Sequence, residues 1–167
     1  MKKFPFYRQL DQMDCGPTCL KMIAKHYGKV YDREFLRQLA NITRDGVSLG
    51  GIAEAAEKIG FQSLAVNITY ETLAEDIPLP CIAYWRQRHF IVVHRIDKKG
   101  VYVADPAFGL TTYSKDEFLR GWLNSKRIKD DDEGLLLLLE TTPNFENTQE
   151  QLPKKGLGFR FLFPYFK

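Results

Sequence analysis

The chain has 167 residues and a net charge of +3, and 44% of its residues are hydrophobic. These values predict one folded domain with a substantial core. Basic residues are mixed with acidic ones over most of the chain, which argues against nucleic acid as the main partner. The longest purely apolar run, Leu135 to Leu139, is far shorter than the roughly 20 residues of a transmembrane helix.

The first sixty residues favour helices, because their apolar side chains recur at helical spacing. We expect helices over Gly16 to His26 and over Asp32 to Ala40. A third is expected to begin near Ser48, a favourable N-cap, and to run to Gly60. In the second helix, the spacing predicts that three side chains face inward, namely Phe35, Leu36 and Leu39.

From residue 61 onward the pattern is typical of strands, with short helices between them. Helices come first and a mostly antiparallel sheet second, so we predict an α+β fold. The expected strands are 61–68, 80–85, 89–97, 101–107, 110–114 and 134–143, and the expected short helices are 69–75 and 115–123.

The last part of the chain differs in composition from the rest. Residues 141–153 are polar and turn-rich, and "KKGLGFRFLFPYFK" follows with basic and aromatic residues interleaved. Such a segment is typical of the approach to a membrane span, and it fits a nucleic-acid patch less well. We therefore predict a domain over residues 1–140, and a linker and membrane approach over residues 141–167.

Two cysteines stand at the start of the first predicted helix. Cys15 lies at its N-terminus, where unpaired N–H groups stabilise a thiolate, which suggests a nucleophile. Cys19 is expected to be a buried packing residue one turn further on. Three cysteines in all, with no secretory signal, favour a reducing compartment over a disulfide framework. No spacing typical of zinc ligands occurs, and no metal or other cofactor is predicted.

A catalytic cysteine needs a base, and the chain has three histidines. His26 is about 16 Å from Cys15 if both lie on one helix, at 1.5 Å per residue. His89 and His94 share a predicted strand, and their odd separation places them on opposite faces. His89 begins that strand, at an end of the sheet where a cleft can form, so the pattern favours His89 as the base.

Two further groups complete a candidate site. Asp105 ends the next strand, and reflection about the "KKG" turn places it within diagonal reach of His89. A carboxylate there would orient the imidazole. The oxyanion donors expected for acyl transfer are the backbone N–H of Cys15 and a nearby side-chain amide. Gln9 and Gln12 are both available, and the order of residues alone does not choose between them.

Four separated elements of the chain resemble the C39 peptidase family of papain-like cysteine peptidases. They are the Gln9-to-Cys15 spacing, "DCGPTCL", "HFIVV" at His89 and "ADPA" at Asp105. The resemblance covers roughly residues 4 to 140. It implies that Cys15 is the nucleophile, His89 the general base and Asp105 the residue that orients it. It also implies that Gln9, rather than Gln12, is the oxyanion donor.

The resemblance also implies a substrate and a setting. Such domains remove the N-terminal leader from a precursor peptide after a double-glycine-type site. They form the cytosolic part of a transporter that also has transmembrane and ATP-binding domains. Two alternatives remain open: a domain that binds the leader without cutting it, and a papain-like acyl-transfer enzyme that acts on another small substrate.

Overall fold

The computed structural model describes residues 3–43, 46–125, 127–129 and 131–147. Within these ranges the chain forms an antiparallel sheet with helices on both faces, as the α+β prediction requires. The helices are α1 (Cys15–His26), α2 (Arg33–Leu39), α3 (Leu49–Lys58), α4 (Tyr70–Asp76) and α5 (Lys115–Leu123). The strands are β1 (Phe61–Thr69), β2 (Cys81–Trp85), β3 (His89–Asp97), β4 (Gly100–Asp105), β5 (Gly109–Tyr113) and β6 (Glu133–Thr141).

The sheet has the strand order β1-β6-β2-β3-β4-β5, and every neighbouring pair is antiparallel. Its central strands are covered on both faces, which explains why their sequences are continuously apolar rather than alternating. In β3, Phe90 and Val92 pack under α1, whereas Ile91 and Val93 pack on the side of α5. The sheet therefore separates two hydrophobic cores and fixes β3 directly beneath α1.

Side-chain caps define where several helices begin. Ser48 accepts a hydrogen bond from the backbone of Gly51 and so caps α3, as predicted. Ser114 and Glu117 form a reciprocal capping box at the start of α5. The predicted helices and strands are confirmed, with ends that differ by a few residues.

One inward-facing prediction for α2 is wrong. Leu36 is fully buried and Leu39 is partly buried, but Phe35 is 45% exposed. Its ring stacks on Tyr31 at a centroid distance of 6.1 Å, outside the core. A helix of only two turns presents a narrow stripe to the core, and Leu36 occupies that stripe.

Part of the predicted linker lies within the described residues. After β6, Pro143–Asn147 form a 3-10 helix, and Phe145 is buried against Phe61 at a centroid distance of 4.7 Å. The remainder of the predicted linker and membrane approach, residues 148–167, lies outside the described residues. Among the residues that are described, none of the helices is both long enough and apolar enough to cross a membrane.

Candidate active site

The candidate site lies at one end of the contact between α1 and β3. The two elements run side by side, and the Cys19 thiol donates a hydrogen bond to the Phe90 carbonyl at 3.3 Å. Cys15, at the start of α1, therefore lies near His89, at the start of β3. His26 is the last residue of α1, and His94 lies five residues beyond His89 along β3.

Cys15 is the first residue of α1 and is 7% exposed. The following residue, Gly16, allows α1 to approach α3 closely, because a Cβ there would lie 2.7 Å from the Ile52 side chain. A larger residue would require the Ile52 side chain or the beginning of α1 to move. The glycine of "DCGPT" therefore allows close packing beside the candidate nucleophile.

His89 contacts both of its predicted partners. Its Nε2 lies 2.7 Å from an Asp105 carboxylate oxygen, and its ring is hydrogen-bonded with the Cys15 thiol. Because Asp105 occupies Nε2, Nδ1 is the ring nitrogen left for the thiol. The β3–β4 register pairs Val92 with Ala104, which puts Asp105 one step beyond, diagonal to His89, as predicted.

The surroundings of His89 favour its charged form. Burial alone lowers the pKa of the imidazole, but hydrogen bonds to Asp105 and Cys15 outweigh that effect and raise it to about 9. Asp105 is itself 1% exposed, and the same carboxylate oxygen accepts from the backbone N–H of Ala107 at 2.9 Å. At neutral pH His89 is therefore an imidazolium beside the cysteine.

Gln9 reaches the site through the main chain. Its backbone N–H donates to the Pro106 carbonyl at 2.9 Å, in the turn that follows Asp105. Arg8 adds hydrogen bonds to the carbonyls of Ala107 and Phe108. The Gln9 side-chain oxygen is buried without a hydrogen-bond partner among the described residues. Gln12, the alternative, is exposed in the 3-10 helix Gln12–Asp14.

His26 and His94 form a separate cluster at the other end of α1. The Phe4 ring contacts both imidazoles, at centroid distances of 5.3 and 4.5 Å. The three residues line a surface groove of about 1060 Å³. Burial lowers the pKa of His26. Burial, His26 and Arg95 together lower the pKa of His94 to about 4. Neither histidine contacts the cysteine, as predicted. The prediction that His89 and His94 face opposite sides is wrong, because His89 contacts Cys15 and His94 stacks on Phe4 beside His26, both on the side of α1.

The remaining cysteines are buried packing residues. Cys19 and Cys81 are both fully buried and free, and burial raises the pKa of each thiol well above its ordinary value. For Cys19, the Cys15 and Asp105 charges act in the same direction. No cluster of metal-binding side chains occurs within the described ranges.

Sequence reasoning missed an ion-pair cluster directly before the cysteine. Asp14 is 1% exposed, and its carboxylate lies 3.1 Å from Arg37 and 3.7 Å from Arg33, both on α2. The only signal in the sequence was an acidic residue in front of Cys15. Arg33 and Arg37 reach Asp14 only because α2 packs against α1, and no local sequence pattern reveals that packing.

The chain is similar to known proteins in sequence and in fold. The model of the peptidase C39 family matches residues 3–126 of the chain. The chain belongs to the peptidase C39 family.

Two curated relatives come from Lactococcus lactis subsp. lactis. The lactococcin-G-processing and transport ATP-binding protein LagD is 39% identical over 127 residues, which are 73% of this chain and 18% of the relative. The lactococcin-A transport/processing ATP-binding protein LcnC is 35% identical over 158 residues, 90% of this chain and 21% of the relative.

Solved peptidase structures have the same fold as this C39 domain. A double glycine motif protease from an AMS/PCAT transporter, crystallised with the leader peptide, aligns with a TM-score of 0.74 and 27% identity, over 84% of this chain and 93% of the other. The peptidase domain of Streptococcus ComA, a bifunctional ABC transporter, aligns with a TM-score of 0.73 and 30% identity, over 84% of this chain and all of the other. The chain spans about a fifth of the length of the curated relatives.

Proposed function

We propose that this C39 domain is a cysteine endopeptidase that removes the N-terminal leader from a precursor peptide after a double-glycine-type site. The observation that carries the proposal is the chain of contacts from Cys15 through His89 to Asp105, in a member of a peptidase family. Cysteine peptidases need a thiolate, a proton donor and acceptor beside it, and a group that orients the imidazole. Each of these roles has a candidate within contact distance of the next.

In the first half of the proposed reaction, the Cys15 thiolate attacks the carbonyl carbon of the second small residue. The carbonyl oxygen takes the negative charge. His89, charged at neutral pH because its pKa is about 9, donates its proton to the leaving amine as the C–N bond breaks. The leader remains attached to Cys15 as a thioester, and the mature peptide departs with a free amino terminus.

In the second half, neutral His89 removes a proton from water, and the resulting hydroxide attacks the thioester. The C–S bond breaks, the leader leaves as a carboxylic acid, and the thiolate–imidazolium pair is restored. Asp105 keeps Nε2 of the imidazole protonated, so that Nδ1 faces the thiol throughout. The cycle consumes one water molecule and needs no cofactor.

The negative oxygen formed in both halves needs hydrogen-bond donors. The backbone N–H of Cys15 points from the N-terminal end of α1, where the helix dipole also favours an anion. The amide of Gln9 is the proposed second donor.

Exposed apolar side chains next to the site support a peptide substrate. Leu10 follows Gln9 and Phe108 follows the Asp105 turn, and each is 76% exposed. Large exposed apolar side chains close to a reactive group favour contact with apolar residues of a ligand. Replacing both with serine should raise KM for a leader-bearing peptide more than it lowers kcat. The matched control is Phe35→Ser, which removes an exposed ring on α2.

The relatives suggest the setting of the domain. The LagD and LcnC proteins are described as transport and ATP-binding proteins, and the chain matches only a part of each. We propose that the domain belongs to such a transporter, on the cytoplasmic face of the bacterial inner membrane, and that residues 141–167 approach a transmembrane segment. Its partners would be the precursor peptide and the transporter's transmembrane and ATP-binding domains.

A cleavage assay separates this function from its two alternatives. A synthetic precursor with a Gly-Gly site is incubated with the chain, and the products are identified by mass spectrometry. The proposal predicts one cut after the second glycine, and none with Cys15→Ala, which should still bind the leader. Binding without cleavage by the unaltered chain would favour a leader-docking domain. Turnover unaffected by replacing Gly-Gly would favour another acyl-transfer enzyme.

A further inference from the structure

The carboxylate of Asp14 occupies an unusual position beside the candidate nucleophile. It directly precedes Cys15 and is almost completely buried, at 1% exposure. Burying a carboxylate costs several kcal/mol unless it is paired. Among the described residues, neither of its oxygens has a hydrogen-bond partner, and its contacts are ion pairs to Arg33 and Arg37 of α2. We call these three residues the Asp14 cluster.

Asp14 stands at the N-cap of α1 but does not cap it with its side chain. An aspartate at this position usually accepts from the second or third N–H of the helix. Here the third helical residue is Pro17, which has no N–H, and the Asp14 carboxylate points to the arginines instead. The positive end of α1 is therefore left for another anion, and the Cys15 side chain is located there.

The negative charge of Asp14 also acts on a thiolate at Cys15. A thiolate on Cys15 and a carboxylate on the preceding residue would repel each other, because like charges in close proximity disfavour ionisation. Arg37 lies 3.1 Å and Arg33 3.7 Å from that carboxylate, so their charges offset its own. Arg37 also pairs with Glu34 at 3.5 Å, on the exposed side of α2.

We propose that Arg33 and Arg37 are positioning residues for catalysis: they hold the Asp14 carboxylate away from the N-terminal end of α1 and balance its charge, which favours the Cys15 thiolate. The inference rests on the proposed role of Cys15 as the nucleophile. It assigns to α2 a task in the reaction, although neither arginine contacts the reacting atoms.

The other charged groups that face Cys15 must be kept constant in any test. His89 on β3 favours the thiolate as an imidazolium. Asp105 on β4 lies behind that imidazole. Cys19, one turn along α1, is buried with its pKa raised, so it stays neutral. None of these groups changes in the variants below.

The test measures the alkylation rate of Cys15 by iodoacetamide between pH 4 and 9, in the whole chain, with the modified residue mapped by mass spectrometry. Only a thiolate reacts at an appreciable rate. Arg37→Gln should slow alkylation about tenfold on the acid limb of the profile, because the Asp14 carboxylate then lacks its nearer counter-charge. Cleavage of a Gly-Gly peptide should fall about tenfold on that limb.

The decisive variant is the double change Asp14→Asn with Arg37→Gln. It removes both charges, so its acid limb should return close to that of the unaltered chain. A merely structural role for the cluster predicts that Arg37→Gln lowers Tm without moving the acid limb, and that the double variant recovers Tm because the buried carboxylate is no longer charged. Glu34→Gln is the matched control: it breaks the outer ion pair of Arg37 and should leave the profile unchanged.

Each result bears on a distinct claim. If Cys15 is alkylated selectively but the profile is the same in Arg37→Gln, or the double variant stays shifted, the proposal on the cluster is wrong and the nucleophile stands. If Cys15 is not the residue alkylated, the proposed function itself fails. If Arg37→Gln does not fold because an unpaired carboxylate is buried, the double variant is compared with Asp14→Asn alone. Slower alkylation on the acid limb in the double variant than in Asp14→Asn would contradict the proposal.

Discussion

Each end of the α1–β3 contact holds a histidine of β3, and the two ends shift the pKa of that histidine in opposite directions. At one end, His89 lies between Cys15 and Asp105, and its pKa is raised to about 9. At the other end, His94 stacks on Phe4 beside His26, and its pKa is lowered to about 4. Both imidazoles are partly buried and lie on the same strand. Burial acts on both in the same direction, so it does not explain the difference.

The difference comes from the charges that face each ring. His89 has a buried carboxylate at 2.7 Å, which stabilises the imidazolium more than burial destabilises it. The charges that act on His94 come from His26 and Arg95, and both favour the neutral ring. A histidine on this sheet therefore has a raised pKa because a carboxylate faces it, and not because of how deeply it is buried.

The largest expected contrast is between the two histidines themselves. His89→Gln should lower kcat/KM for a Gly-Gly precursor by about 10⁴-fold or more, because the proton donor and the orienting contact are both lost. His94→Gln keeps the site intact and should retain near-normal cleavage. Equal losses in both variants would mean that the two ends are not functionally distinct.

A smaller loss is expected at the proposed oxyanion donor. Gln9→Ala should lower kcat about 10²–10³-fold with little change in KM, because the amide acts on the charge of the transition state. Gln12→Ala, which changes an exposed amide three residues away, is the control and should have no such effect. If KM rose while kcat was retained, Gln9 would be a binding residue instead.

Replacing the Asp105 carboxylate tests whether its charge is what raises the pKa of His89. Asp105→Asn keeps an acceptor for Nε2 of His89 but removes the charge, so the imidazolium loses the partner that raises its pKa. We expect cleavage to fall by up to about 10²-fold, with the alkaline limb of the rate–pH profile moved to lower pH. An alkaline limb that does not move would show that another group controls it.

The smallest predicted effect is on stability, where the two histidines should act in opposite directions. The pKa of His89 is higher in the folded protein, so its contribution is full below pH 6.5 and is lost as pH rises to about 9. The pKa of His94 is lower when folded, so its contribution is full above pH 6.5 and is lost as pH falls to about 4.

Thermal unfolding between pH 4 and 9 measures both effects. Relative to the unaltered chain, His89→Gln should flatten the decline in Tm above pH 6.5, and His94→Gln the decline below it. Difference curves between variants cancel the titration of all other groups. Two variants with the same difference curve would contradict the assigned protonation states.

Much of this arrangement follows from the sequence, and the exceptions have physical reasons. His89 and Asp105 were predicted as neighbours because a hairpin register depends only on local pairing across one turn. A bulge at His94, where the register shifts between Val93 and Arg95, leaves no mark in the sequence pattern. The Asp14 cluster depends on how α1 packs on α2, which propensities do not encode.

The most direct test of the central claim is to trap the nucleophile. A leader-derived peptide that ends in a Gly-Gly chloromethyl ketone should alkylate one thiol, and digestion with mass spectrometry identifies it. We predict an adduct on Cys15 alone, with no adduct in Cys15→Ala, although Cys19 lies only one turn along the same helix. An adduct on Cys19 or Cys81, or none in the unaltered chain, would contradict it.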